Sequence, residues 1–111
     1  MPVYRYNKQV TVAAGQNVVL TIEFPENSTG GTHDIDLLVG QDIEGYNEIE
    51  EDLGTQASFG KRLVIWTKAF DLDPGIKDVK VDFLINGKLV QRHTNAKAED
   101  PSPQIKVTMN F

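Results

Sequence analysis

Apolar and polar residues alternate with a period of two along nearly the whole chain. Val18, Leu20, Ile22 and Phe24 stand against Asn17, Val19, Thr21 and Glu23. Ile35, Leu37 and Val39 stand against Asp34, Asp36 and Leu38, and Ile105, Val107, Met109 and Phe111 against Lys106, Thr108 and Asn110. Successive strand side chains point to opposite faces, so each segment predicts a β-strand with one face in a core. Val10 and Val12, alternating with Gln9 and Thr11, predict an earlier strand that ends in an Ala13–Gln16 turn.

Leu63 to Phe70 is different, with Leu63, Ile65 and Ala69 on one parity and Val64, Trp66 and Phe70 on the other. An apolar residue at nearly every position predicts a central strand, or one whose outer face lies under a loop or partner. Trp66 is accordingly expected in the core. Gln41 to Ala57 is the one region that does not read as strand. There Asn47 as N-cap, Glu50 three residues on and Gly54 as C-terminal stop predict a single helical turn.

Asn86-Gly87 lies between Val79-Lys80-Val81-Asp82-Phe83-Leu84-Ile85 and Lys88-Leu89-Val90-Gln91. Two consecutive residues tolerant of positive φ between alternating strands predict a hairpin with a type I′ turn. A two-residue turn pairs Ile85 with Lys88, Leu84 with Leu89, Phe83 with Val90, Asp82 with Gln91 and Val81 with Arg92. Val79, Val81, Phe83, Ile85 and Val90 then share the core face, with Leu84 and Leu89 opposed on the other. Lys88 and Arg92 fall on the core side of the return strand, which marks a charged sheet edge.

These elements, about seven or eight short strands with one helical turn, predict a single antiparallel all-β sandwich over residues 1–111, with a barrel as the alternative. The chain has no cysteine, which excludes disulfides and thiolate metal sites. Its 16 acidic against 11 basic residues, a net charge of −5, argue against nucleic acid or anionic lipid as partner. No apolar run approaches the ~20 residues that span a bilayer. With no charged-then-apolar leader after Met1, a cytoplasmic product is expected, or a surface module if the chain is cut from a longer secreted one.

Ile76 to Val90 resembles the corresponding hairpin of bacterial immunoglobulin-like modules, where a Val-x-Val-x-Phe strand runs into Asn-Gly and a Leu-Val return. Ala14-Gly15 together with Asp34-Ile35-Asp36-Leu37 is similar to the pre-peptidase C-terminal β-sandwich modules. The resemblance implies an immunoglobulin-like sandwich acting as a spacer, adhesion or accessory module of secreted proteins.

Calcium takes six to eight oxygen ligands, so candidate sites need converging carboxylates. Asp71, Asp73 and Asp78 surround the Pro74-Gly75 turn and are the first candidate metal ligands. Asp34 and Asp36 share a strand face roughly 7 Å apart, and Asp42, Glu44, Glu48, Glu50, Glu51 and Asp52 add an acidic, base-free segment from Gln41 to Ala57. His33 and Asp34 point to opposite faces, which disfavours a His–carboxylate metal site; His33 and His93 are expected at the surface, at strand ends. Nothing suits nucleophilic catalysis, because Ser28, Ser58 and Ser102 all lie in loop-like sequence. Of Tyr4, Tyr6, Tyr46, Phe59 and Trp66, the candidates for a carbohydrate platform, Tyr46 is the one expected near solvent. The expectation is a non-enzymatic binding or structural module, with two alternatives. One is a calcium-stabilised carbohydrate- or surface-binding domain using the loops around Asp71 and the acidic segment, with Tyr46, Asp34 and Asp36 as candidate binding residues. The other is a protein-assembly module that pairs through an edge strand or through Leu84 and Leu89.

Overall fold

The computed structural model describes residues 2–25, 30–70 and 74–111. Its strands are β1 (Val3–Gln9), β2 (Asn17–Glu23), β3 (Gly30–Leu37), β4 (Ile43–Tyr46), β5 (Ile49–Thr55), β6 (Arg62–Phe70), β7 (Asp78–Ile85), β8 (Lys88–Ala96) and β9 (Gln104–Asn110), with one helical turn, α1 (Gln56–Phe59). They form a five-stranded sheet ordered β1-β9-β6-β3-β4 and a four-stranded sheet ordered β5-β2-β7-β8. The all-β, two-sheet architecture follows the alternation. Val18, Leu20 and Ile22 of β2, Leu63 and Ile65 of β6, Val81 and Phe83 of β7, and Ile105 and Val107 of β9 are all fully buried between the sheets. Each such side chain contributes about 1.5–3 kcal/mol by leaving water. No helix among the described residues is long and apolar enough to cross a membrane.

Not every pairing is antiparallel. β1 joins the edge of the larger sheet parallel to β9, from Val3 beside Gln104 to Gln9 beside Asn110. The first strand therefore lies earlier than Val10 and Val12 suggest; Val10 follows it, buried, its N–H donating to the Asn110 carbonyl. At its other end β3 stops at Leu37, leaving Leu38 and Val39 exposed. The chain thus has nine strands among its described residues, more than the alternation alone resolves.

The acidic segment is strand, not helix. Asn47 has φ 61°, so it is no N-cap; it kinks the chain from β4 in one sheet to β5 in the other. Ile49 and Leu53 face inward, while Glu50 and Asp52 lie opposite Thr21 and Val19 of β2. A register shift near Gly54 (φ 81°) hides the period of two that would have revealed the strand. The helical turn falls after it, at Gln56–Phe59, closed by Gly60 with φ 88°.

The hairpin turn is as expected, with Asn86 and Gly87 at φ 50° and 79°. Asn86 also ties the turn to β2: its N–H donates to the Val19 carbonyl (2.9 Å) and its Oδ1 accepts from the Val19 N–H (2.8 Å). Ile85 pairs with Lys88 and Leu84 with Leu89, but Phe83 then pairs with Gln91. Val90 is the extra residue of a β-bulge, half-buried against the core. A slip of one residue reverses every side chain beyond it. Arg92 therefore leaves the core side and binds Asp82 on the outer face through Nε and Nη2, at 2.7 and 2.8 Å. His93 turns inward and is fully buried. As expected, β8 is a sheet edge.

Buried His93 closes the side of the sandwich between β1 and β8. Asn95 Nδ2 donates to the Ala96 and Asp100 carbonyls, each at 2.9 Å, so Asn95 Oδ1 is an acceptor. It takes the His93 Nε2 proton at 2.6 Å, which leaves Nδ1 to accept from the Tyr6 hydroxyl at 2.8 Å. This partner set holds the ring as one neutral tautomer. Burial pushes its pKa down.

Candidate functional site

The outer face of the five-stranded sheet is organised in rows that cross the strands. One row runs Arg5, Lys106, Trp66, Asp34, Glu44 from β1 to β4. The next runs Val3, Gln104, Lys68, Thr32, Tyr46. Between them lies a trough of about 380 Å³. Trp66, Asp34 and Glu44 form one wall, and Gln104, Lys68, Thr32 and Tyr46 the other. The backbone of Gly45, His33 and Thr67 forms the floor.

Trp66 is a correction to the expected core residue: it points outward and is 36% exposed. Leu63, Ile65, Thr67 and Ala69 take the buried parity of β6. Arg62, Val64, Trp66, Lys68 and Phe70 take the outer one, and the two cations were the signal that this parity faces water. The Arg5 guanidinium lies 5.9 Å and the Lys106 ammonium 5.2 Å from the Trp66 ring centroid, within cation–π range. Both stand beyond Trp66 in its cross-strand row, on β9 and β1, and neither lines the trough. Tyr46, at the far end, is 68% exposed, as its position after Gly45 suggests.

A buried histidine supports the floor. His33 Nε2 donates to the Asn47 carbonyl at 2.6 Å, and Nδ1 accepts from the Thr67 hydroxyl at 2.8 Å. Asn47 returns two bonds to Gly31, through its N–H to the carbonyl (2.8 Å) and its Oδ1 from the N–H (3.3 Å). Together these fix the crossover next to Tyr46. His33 is thus interior, not the surface residue expected, and burial pushes its pKa down. Asp34, on the other side of the strand, is exposed, so the two do not converge.

Beside the trough, Asp34, Asp36 and Asp42 bring one carboxylate oxygen each within 4.8 Å of the others. Burial, then hydrogen bonding and repulsion from Asp34 and Asp42, raise the Asp36 pKa to about 6. Asp36 Oδ1 is enclosed and has no hydrogen-bond partner. Oxygens held 2.3–2.6 Å from a calcium ion lie at most about 5 Å apart, so the spacing fits such an ion. Three carboxylates supply only part of its coordination, leaving positions for carbonyls, water or ligand hydroxyls.

The other candidate residues are dispersed. Asp71 and Asp73 lie outside the described residues, and Asp78 begins β7 in the opposite sheet, apart from the carboxylate cluster. Leu84 and Leu89 face each other on the outside of the four-stranded sheet, with Leu89 51% exposed. Glu44, Lys68 and Gln104 were not singled out by sequence, because only the strand order brings β9, β6, β3 and β4 side by side. No protein family, no curated protein and no solved structure matches this chain.

Proposed function

We propose that this chain is a non-catalytic, immunoglobulin-like β-sandwich module that binds carbohydrate on the outer face of its five-stranded sheet. The observation that carries the reading is the outward Trp66, facing a trough that ends at the exposed Tyr46. Planar rings offer apolar contact area at low entropic cost, which suits the apolar faces of sugars. Asp34, Glu44, Lys68, Gln104 and Thr32 supply hydrogen-bond acceptors and donors between the rings, the mixed lining that a hydroxyl-rich ligand requires. The reading is tested by affinity electrophoresis through gels containing soluble β-glucan, xylan, galactomannan or glycol chitin. At least one polysaccharide should retard the wild type and release Trp66→Ala; equal mobility in all four contradicts the proposal.

A second reading adds calcium at Asp34, Asp36 and Asp42, favoured by the convergence of three carboxylates and the raised Asp36 pKa. A cation that binds only the native state must raise the unfolding temperature. Millimolar calcium should therefore raise Tm of the wild type and not of Asp36→Asn; an unchanged wild-type Tm removes calcium from the account.

A further inference from the structure

Resting on the carbohydrate reading, we infer that the trough selects a neutral, linear glycan lying across the strands, in preference to acidic ones. The direction comes from the sheet. The two walls are cross-strand rows and the floor is pleated backbone at Gly45, His33 and Thr67, so the open path runs from β9 to β4. Three strand spacings give roughly 14 Å, room for about three linked pyranose rings. Trp66 and Tyr46 are separated by two strand spacings and a two-residue offset, about 12 Å between their backbones. They therefore meet different rings of an extended chain, which a single sugar cannot bridge.

The charge preference comes from the walls. Asp34 and Glu44 stand on one side, with Asp36 and Asp42 beyond Asp34. A uronate or sulfated chain laid along this wall brings its anions against four carboxyl groups, and like charges at close range disfavour binding. A neutral ring carries donors and acceptors together. Its hydroxyls donate to Asp34 and Glu44 and accept from Lys68 and the Gln104 amide, so it pairs with both walls and adds no charge of its own.

Titration calorimetry on the whole chain tests this, using gluco-, xylo-, manno- and N-acetylchito-oligosaccharides from mono- to hexasaccharide. Oligogalacturonates serve as the charged counterpart. One neutral series should gain affinity up to the trisaccharide or tetrasaccharide and then level off, with about tenfold weaker binding for Trp66→Ala and for Tyr46→Ala. The charged series should bind more weakly than the neutral one. Both substitutions are at exposed positions, and an unchanged Tm confirms that each variant is folded. Equal affinity for mono- and hexasaccharide, or binding of the oligogalacturonates as tight as the neutral series, overturns this inference while leaving carbohydrate binding intact. Absence of binding to every sugar overturns the carbohydrate reading and this inference with it.

Discussion

The two sheets present opposite kinds of outer face. On the four-stranded sheet the polar groups satisfy one another: Arg92 caps the nearly buried Asp82 with two charge-assisted bonds, and Leu84 packs beside Leu89. On the five-stranded sheet the pairing is partial: the Asn110 amide donates to Asn7, and Arg5 and Lys106 lie against Trp66, but a trough stays open. Asp34 and Glu44 face Thr32, Lys68 and Tyr46 across an open trough, with Trp66 at its end. Both faces have the alternating polar positions of a solvated sheet. What separates them is whether neighbouring strands supply each side chain with a partner. A face whose groups pair off is finished by folding, whereas a face that leaves planar rings and carboxylates open is available to a ligand.

The buried histidines offer the largest test of this contrast. His33→Ala removes the ring beneath the open face, leaving the Asn47 carbonyl and the Thr67 hydroxyl without their partner. His93→Ala does the same to Tyr6 and Asn95 at the side of the sandwich. Each should cost about 3 kcal/mol in denaturant unfolding, from the lost hydrogen bonds and the cavity together. Only His33→Ala should also weaken ligand binding, because it frees the crossover that carries Tyr46. Equal binding losses in the two folded variants would erase the distinction between the faces.

Next in size is the comparison of surface residues. Trp66→Ala should lower ligand affinity about tenfold, and shift unfolding free energy by no more than about 0.5 kcal/mol, as exposed positions usually do. Leu84→Ala and Leu89→Ala should leave ligand affinity unchanged. Light scattering of Leu84→Glu beside the wild type checks the other role for that face, since a wild type already monomeric at high concentration rules out assembly through the leucines.

The smallest expected effect is on pH dependence. Asp36 has a folded pKa near 6, above the ordinary carboxylate value, so the folded state holds its proton more tightly than the unfolded state does. Its stabilising contribution is complete below about pH 4 and lost as pH rises through about 6. His33 and His93 act in the opposite sense. Their lowered pKa values mean that the unfolded chain takes up protons first, so stability falls as pH drops below about 6.5. The difference between Asp36→Asn and the wild type isolates the carboxylate. The variant should be the more stable at pH 8, with its advantage shrinking towards pH 4. A difference that does not vary with pH would mean that neither burial nor the neighbouring carboxylates raise the Asp36 pKa.

Much of the fold was legible because burial imposes a period of two, and the hairpin because few residue pairs accept two positive φ values. Legibility failed where one residue altered the register. The Val90 bulge reversed Arg92 and His93, and the shift near Gly54 disguised β5 as a capped turn. Trp66 was misplaced for a different reason. A large apolar residue in an apolar run carries a strong expectation of burial, and only the parity of Arg62 and Lys68 pointed the other way. Tyr46, Asp34 and Asp36 could be read as candidates from sequence, but not their assembly with Lys68 and Gln104. The pairing of β3 with β6 and of β6 with β9 brings together residues far apart along the chain, and no local pattern encodes it.

Trp66 is the chain's sole tryptophan, so its fluorescence reports on the trough alone. Emission is followed while neutral hexasaccharides of glucose, xylose, mannose and N-acetylglucosamine are titrated into the wild-type protein. Stacking of a sugar on the ring predicts a saturable change in intensity and wavelength for at least one series, with the same midpoint as calorimetric binding. Calorimetric binding that leaves the Trp66 emission unchanged would place the ligand elsewhere and contradict the account.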